Sequence, residues 1–149
     1  MFKNKKGFTL IELLVVIAII GLLSTLAVVA LTSARTKARD SKRVADMKQV
    51  QTAMELYYSA NNTYPAGATC TNPSLVSACA ALAPDFLPGV VTLKDPGGVA
   101  AACADPAAAK CNYSFGAAAA GSYEINFWLE GATGDLAAGA HTLTPAGLQ

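Results

Sequence analysis

Residues 6–21 read Lys6-Gly7-Phe8-Thr9-Leu10-Ile11-Glu12-Leu13-Leu14-Val15-Val16-Ile17-Ala18-Ile19-Ile20-Gly21, and this stretch decides how the rest of the chain is read. It opens an apolar run, residues 8–34, that holds one charge, Glu12, and no proline. Those 27 residues exceed the roughly 20 that a helix needs to cross a bilayer. Residues 1–7 before it are short, polar and basic, with lysines at 3, 5 and 6. Such a flank holds a leader on the cytoplasmic side, while the basic residues after Ala34 pull the opposite way. The cysteines of the C-terminal part decide between these signals and favour export.

Working outward, the pattern turns amphipathic over residues 35–60. Val44, Met47, Val50 or Gln51, Met54 and Tyr57 recur at helical spacing with charges between them. No glycine or proline interrupts residues 22–64. The spacing therefore predicts one unbroken helix from about Phe8 to Ala60, roughly 80 Å long at 1.5 Å per residue. Its first half must lie in lipid or among partner helices, and its second half can pack on a head. Asn61-Asn62-Thr63-Tyr64-Pro65 supplies the stop.

The whole chain has 149 residues, enough for one globular domain with an attached element. Its net charge of +1 hides an uneven spread. Residues 35–48 hold six basic residues, Arg35, Lys37, Arg39, Lys42, Arg43 and Lys48, against Asp40 and Asp46. From Asn61 onward two lysines stand against six acids. The plain reading of the basic stretch is a solvated helix face beside a membrane. It has no interleaved aromatics and the head is acidic, so no nucleic acid is expected as a partner.

All four cysteines, Cys70, Cys79, Cys103 and Cys111, lie in the C-terminal part. An even count in an exported domain favours disulfides, and sequence alone leaves three pairings open. Pairing of neighbours would close two short loops worth on the order of 2–3 kcal/mol each. A zinc site is disfavoured, because Cys-x-x-Cys is missing and His141 is the single histidine. His141 reads as a surface residue.

Residues 61–149 read as a small antiparallel β-sheet head packed on the helix, an α+β arrangement. Residues 74–83 suggest a short helix, and residues 90–93, 112–115 and 123–129 suggest strands. The last alternates Tyr123, Ile125, Phe127 and Leu129 against Glu124, Asn126, Trp128 and Glu130. Residues 97–109 and 116–121 are low-complexity connections. Asp95-Pro96-Gly97-Gly98 reads as a turn. Glu124, Glu130 and Asp135 lack the spacing of a calcium loop, so neither metal nor cofactor is expected. Enzyme signatures are missing, and the chain is read as a non-enzyme.

The string from Lys6 to Gly21 resembles the N-terminal signal of type IV prepilins and of type II secretion pseudopilins. A cut between Gly7 and Phe8 would remove three positive charges and leave the apolar segment in place. A secretory signal is cut behind its apolar core instead. Val28-Val29-Ala30 suits that enzyme, but the apolar run is too long for it and Glu12 would have no role. The resemblance implies a prepilin peptidase that cuts after Gly7 and methylates the new amine of Phe8. Glu12 then becomes the fifth residue, and a carboxylate in an apolar segment marks function by default. Pairing with the Phe8 amine, in the same or a neighbouring subunit, would offset its burial and set axial register. The resemblance implies the intersubunit version.

The parts are then a leader (1–7), a transmembrane and filament-core helix (8–34), an amphipathic continuation (35–60) and a pilin-like head (61–149). The implied function is a structural subunit of a type IV pilus-like filament. The alternatives are a pseudopilin of a type II secretion system, or a minor subunit displaying an adhesive or DNA-uptake head. Implied partners are copies of itself and related pilins, the prepilin peptidase, an inner-membrane assembly platform, and lipid before assembly. The implied location is a single-pass membrane protein with a cytoplasmic leader and an exported head, later a periplasmic or extracellular filament. Gly21 either eases close helix packing or marks a place where relatives melt the helix.

Overall fold

A computed structural model describes residues 7–66, 70–103, 110–117 and 121–149. The leader lysines, and parts of the low-complexity connections at 97–109 and 116–121, lie outside the described residues. Helix α1 runs without a break over Leu10–Asn61, and is followed by four strands: β1 Ser114–Phe115, β2 Ile125–Leu129, β3 Gly139–Thr144 and β4 Gly147–Leu148. The chain divides into two compact units, one ending at Arg35 and one spanning Thr36–Gln149.

In the first unit the apolar side chains are exposed throughout, from Phe8 at 85 % to Leu31 at 51 %. Its hydroxyls do not compete with the helix. Ser24, Thr25 and Thr32 donate back to the carbonyls of Ile20, Leu22 and Val28 at 2.7–2.9 Å. These bonds let polar residues sit in an apolar stretch without an orphaned donor. The helix starts at Leu10 rather than Phe8, because Thr9 caps it as described below.

Termination follows the αL pattern of a helix end. Asn62 takes φ 56°, and its N–H donates to Tyr58 O at 2.7 Å. The Asn61 side chain caps the Tyr57 carbonyl at 3.0 Å.

In the second unit, Met47, Val50, Ala53 and Met54 of α1 are buried, with Val44 and Tyr57 packed at their edge. They meet Tyr113, Phe115, Tyr123, Ile125, Phe127, Leu129 and Leu143 from the sheet side. The sheet is an antiparallel meander in the order β1-β2-β3-β4. Its register sets Phe115 opposite Ile125 and Phe127 opposite His141. The alternation predicted for β2 holds over Ile125–Leu129, with Ile125, Phe127 and Leu129 buried.

Elsewhere the outcome differs. The segment expected as a short helix forms two 3-10 turns, Val76–Ala78 and Ala80–Leu82, on either side of the cross-linked Cys79. Val90–Thr92, expected as a strand, is a 3-10 turn that buries Val90 and leaves Val91 64 % exposed. Gly89 and Thr92 close it, since both the N–H and the hydroxyl of Thr92 donate to the Gly89 carbonyl. Strands β3 and β4 were not foreseen. His141 lies half-buried on the Phe127 ring at 5.6 Å, its nitrogens 2.9 and 2.8 Å from the carbonyls of Gln149 and Ala137.

The disulfides join neighbours, Cys70 with Cys79 and Cys103 with Cys111. The second anchors a cover over the outer face of β1 and β2. The Cys103 carbonyl accepts from the Ser114 hydroxyl at 3.0 Å and from the Asn126 amide at 3.4 Å. Ser114 and Asn126 are buried for that reason.

Truncating the side chain at the centre of the helix–sheet core leaves a cavity as well as losing transfer energy. Met47→Ala is expected to lower stability by about 2–5 kcal/mol, read from the denaturant midpoint of the full chain in detergent.

Candidate functional site: the N-terminal motif and a buried arginine clasp

At the head of α1, Thr9 and Glu12 close a reciprocal capping box. The Thr9 backbone N–H and hydroxyl both donate to Glu12 Oε2, at 2.8 and 2.6 Å. The Glu12 N–H donates in return to Thr9 Oγ1 at 3.3 Å. Gly7 and Phe8 precede the helix in irregular conformation and are exposed, and a Cβ at Gly7 would meet nothing within 4 Å. The Gly7–Phe8 peptide bond therefore lies just outside the first helical turn, open on its surroundings. The Thr-x-x-Glu spacing of this box was readable in the sequence, although Thr9 was not singled out.

A second polar assembly lies wholly within the second unit. Arg43 projects from α1 into the head with 1 % of its side chain exposed. Its guanidinium grips Asp95 with two bonds, Nε at 2.6 Å and Nη2 at 2.9 Å. Nη1 donates to Asp40 at 2.6 Å and to Glu130 at 2.8 Å. Glu130 is held again by Arg39, through Nε and Nη2 at 2.7 Å each. Asp40 also accepts the backbone N–H groups of Glu130 and Gly131 at 3.0 and 2.8 Å.

The Asp-Pro-Gly-Gly segment is a turn, as predicted, with Gly98 N–H donating to Asp95 O at 3.1 Å and Gly98 at φ +73°. Its further work was not foreseen: it presents the Asp95 carboxylate to Arg43. The Asn112 side chain secures this by accepting the N–H groups of Asp95 and Tyr113 at 2.9 and 3.0 Å. Tyr113 donates its hydroxyl to Asp46 of α1 at 3.0 Å. The stretch read as a solvated basic face is therefore divided: Asp40, Arg43 and Asp46 are buried, while Arg35, Lys37, Lys42 and Lys48 remain exposed.

The electrostatics follow from these bonds. Arg39's hydrogen bond, with that of Arg43, overcomes burial and holds the Glu130 pKa down at about 2. Burial alone would lower the Arg43 pKa, but bonds from Asp95, Glu130 and Asp40 outweigh it and raise it. Burial raises the Asp46 pKa, against the bond from Tyr113.

Comparison with known proteins bears on the first of these sites. A family model, the prokaryotic N-terminal methylation motif, matches residues 2–28. The chain is similar to type II secretion system core protein G of Aeromonas hydrophila, 40 % identical over 63 residues, covering 42 % of this chain and 44 % of that protein. It is likewise similar to the type IV wide pilus major component PilA4 of Thermus thermophilus, 44 % identical over 62 residues, covering 42 % and 47 %. Core protein G of Escherichia coli is 40 % identical over 62 residues, covering 42 % and 43 %. The chain thus spans less than half the length of each of these relatives. No solved structure matches it. In class, this is a chain that carries the N-terminal methylation motif on a pilin-like α+β architecture. Its homologues are core protein G of type II secretion and a type IV pilin.

Removing Arg43 would leave Asp40, Asp95 and Glu130 without their buried counter-charge. Arg43→Ala is expected to destabilise the head by about 3–5 kcal/mol in equilibrium unfolding. Acid acts on the same cluster. Because the folded-state pKa of Glu130 is depressed, its contribution is full above about 4.5 and is lost as pH falls towards about 2. Asp46 works in the opposite sense, its raised pKa giving stability on acidification. Unfolding midpoints between pH 5 and 2 should therefore fall less steeply in Glu130→Gln than in the natural chain, and more steeply in Asp46→Asn.

Proposed function

We propose that the chain is a structural subunit of a type IV pilus-like filament, held in the membrane by residues 8–34 before assembly. The observation that carries this reading is the methylation motif on an apolar stretch of α1, up to residue 34, whose side chains are all exposed in the single chain. An 18-residue window of mean hydropathy 2.9 has no stable place in water. Lipid covers it first, and partner helices replace lipid in the filament.

Processing falls between Gly7 and Phe8, where the backbone is irregular and exposed, and a prepilin peptidase methylates the new amine of Phe8. Glu12 pairs with that amine on a neighbouring subunit. The leader stays in the cytoplasm and the head is exported, in keeping with two disulfides in the head. The role is structural rather than enzymatic. Its partners are copies of itself and related pilins, the peptidase, and an inner-membrane assembly platform.

A second reading, as a pseudopilin of a type II secretion system, is favoured by the similarity to core protein G. Surface fibres containing the chain support the pilus. Loss of protein secretion on its deletion, without loss of fibres, supports the pseudopilus.

Mass spectrometry of the mature N-terminus tests the shared core of both readings. N-methylated Phe8 is expected, whereas an intact Met1 or a start near Leu31 overturns it. In the same assay Glu12→Ala should be cut and inserted normally but largely missing from sheared filaments. A normal filament yield from that variant would remove Glu12 from the assembly mechanism.

A further inference from the structure

We infer, on the filament reading above, that the head carries a complementary pair of surfaces: the Gly134-Asp135 turn of one copy docks in the groove between Lys42 and Lys94 of another. The head's surface holds charges that find no partner in their own chain. Among the described residues of the second unit, the clasp uses Arg39, Arg43, Asp40, Asp95 and Glu130. Tyr113 holds Asp46, and Tyr64 holds Glu55. That leaves the acids Asp85, Glu124 and Asp135. Glu124 is half-buried, its carboxylate folded over Gly116. Asp85 stands two residues from Leu87, in the wall of the groove itself. Asp135 is the exposed acid that can reach another copy.

The groove encloses about 410 Å³ between α1 and the segment that carries the Val90–Thr92 turn. Asp46 and Gln49 line it from the helix, Leu87 and Leu93 from the other side. Lys42 and Lys94, both exposed, set two positive charges against the single carboxylate of Asp46, which the Tyr113 hydroxyl already holds at 3.0 Å. The groove is therefore apolar in its wall and positive in sum, and it suits an acid on a small support. Its volume lies in the range of small-molecule pockets, and a Gly-Asp tip is no larger than such a ligand.

The turn has matching features. Thr133 N–H donates to the Leu136 carbonyl at 2.9 Å and Leu136 N–H to the Thr133 carbonyl at 3.2 Å, closing a two-residue loop. Gly134 takes φ +62°, which the first position of such a loop requires. Gly134 and Asp135 are exposed at the tip, while Leu136 packs on the core and Gly131 N–H is tied to Asp40. The acid is thus presented from a fixed turn that has little freedom left to lose on docking.

Placement on the helix favours a second copy as the occupant. At about 100° and 1.5 Å per residue, Lys42 and Gln49 lie roughly 160–180° around α1 from Asp40, which anchors the turn, and Asp46 lies about 9 Å farther along. Complementary surfaces on opposite flanks of one chain make a heterologous contact, and the axial offset keeps it from closing into a ring. Repeated from copy to copy, it builds an open helical array.

The test expresses the full-length chain in its own host as Lys94→Glu, Asp135→Lys and the two combined. It measures the mature N-terminus, the thermal unfolding midpoint in detergent, and the fraction of chain in sheared filaments or, for a pseudopilus, in cross-linked multimers. Both positions are exposed, so all three variants should be cut after Gly7 and keep the natural midpoint within a few degrees. Each single reversal sets like charges face to face and should lower assembly by about tenfold or more, and the combined variant should recover to within about threefold of the natural chain. In assemblies of the natural chain mixed from light and heavy isotopes, a zero-length carbodiimide link should join Lys94 of one copy to Asp135 of another. Full assembly of both single variants, no recovery in the combined one, or lack of the mixed-isotope link would each overturn the inference and leave the filament reading standing. Failure of the natural chain to be cut after Gly7 would sink that reading, and the docking with it.

Discussion

The structure depends on α1 satisfying every interior backbone group by itself. An uninterrupted helix carries the same hydrogen-bond ladder in lipid, among other helices, or on the flank of a head, so its side chains alone decide what surrounds each part. Residues 22–64 contain neither glycine nor proline, and the ladder runs on to Asn61. Even the hydroxyls of Ser24, Thr25 and Thr32 are turned back onto it. Within that one frame the apolar residues are exposed before Arg35, whereas Met47, Val50 and Met54 are buried after it. The division into two units near Arg35 is a change of side-chain company and not of backbone.

Hydrophobic contact alone would leave the sheet free to adjust on the helix, because apolar burial has no direction. The arginine clasp supplies direction. Arg43 reaches the Asp95 turn and the end of β2 at once, and Asp40 receives the two backbone N–H groups that follow β2. A buried ion cluster is not by itself strong evidence for stability, since desolvation offsets much of the attraction. Its value here is geometric. Each carboxylate comes from a different place in the chain, residues 40, 95 and 130, and all three must arrive together for the guanidinium to be satisfied. The second disulfide lies close behind. Asn112, next to Cys111, fixes the N–H groups of both Asp95 and Tyr113, and those two residues make the polar grip on α1.

How much of this was legible in the sequence depended on whether the signal was local. The helix was, because its periodicity and freedom from breakers extend over dozens of residues. Strand β2 was, because Ile125, Phe127 and Leu129 alternate cleanly with more polar neighbours. Strands β3 and β4 were not: between Gly139 and Leu148 only Leu143 is deeply buried, so the alternation has almost nothing to alternate with. Val90–Thr92 misled through β-branched composition, whereas the Gly89 carbonyl and the Thr92 donors favoured a tight turn. The clasp was invisible for a different reason. Asp40 and Arg43 look like any exposed i,i+3 pair until Asp95 and Glu130, more than fifty residues later, are brought over them. In the N-terminal motif Gly7, Phe8 and Glu12 stood out as a pattern, and the Thr-x-x-Glu cap formed by Thr9 and Glu12 is likewise a local one.

The two charged sites answer the same physical problem in opposite ways. Arg43 is deeply buried and makes four hydrogen bonds to carboxylates of its own chain, so its charge is matched before any other molecule arrives. Glu12 sits among exposed apolar side chains and, among the described residues, receives its bonds on a single oxygen. A chain meant to remain a monomer in lipid would gain by neutralising that residue altogether, as leucine or alanine at position 12 would. A carboxylate in such apolar company is unfavourable in lipid unless a cation matches it. Lipid can match leucine at that position, whereas a carboxylate is matched only by a charge, such as an amine, brought to it at a fixed height.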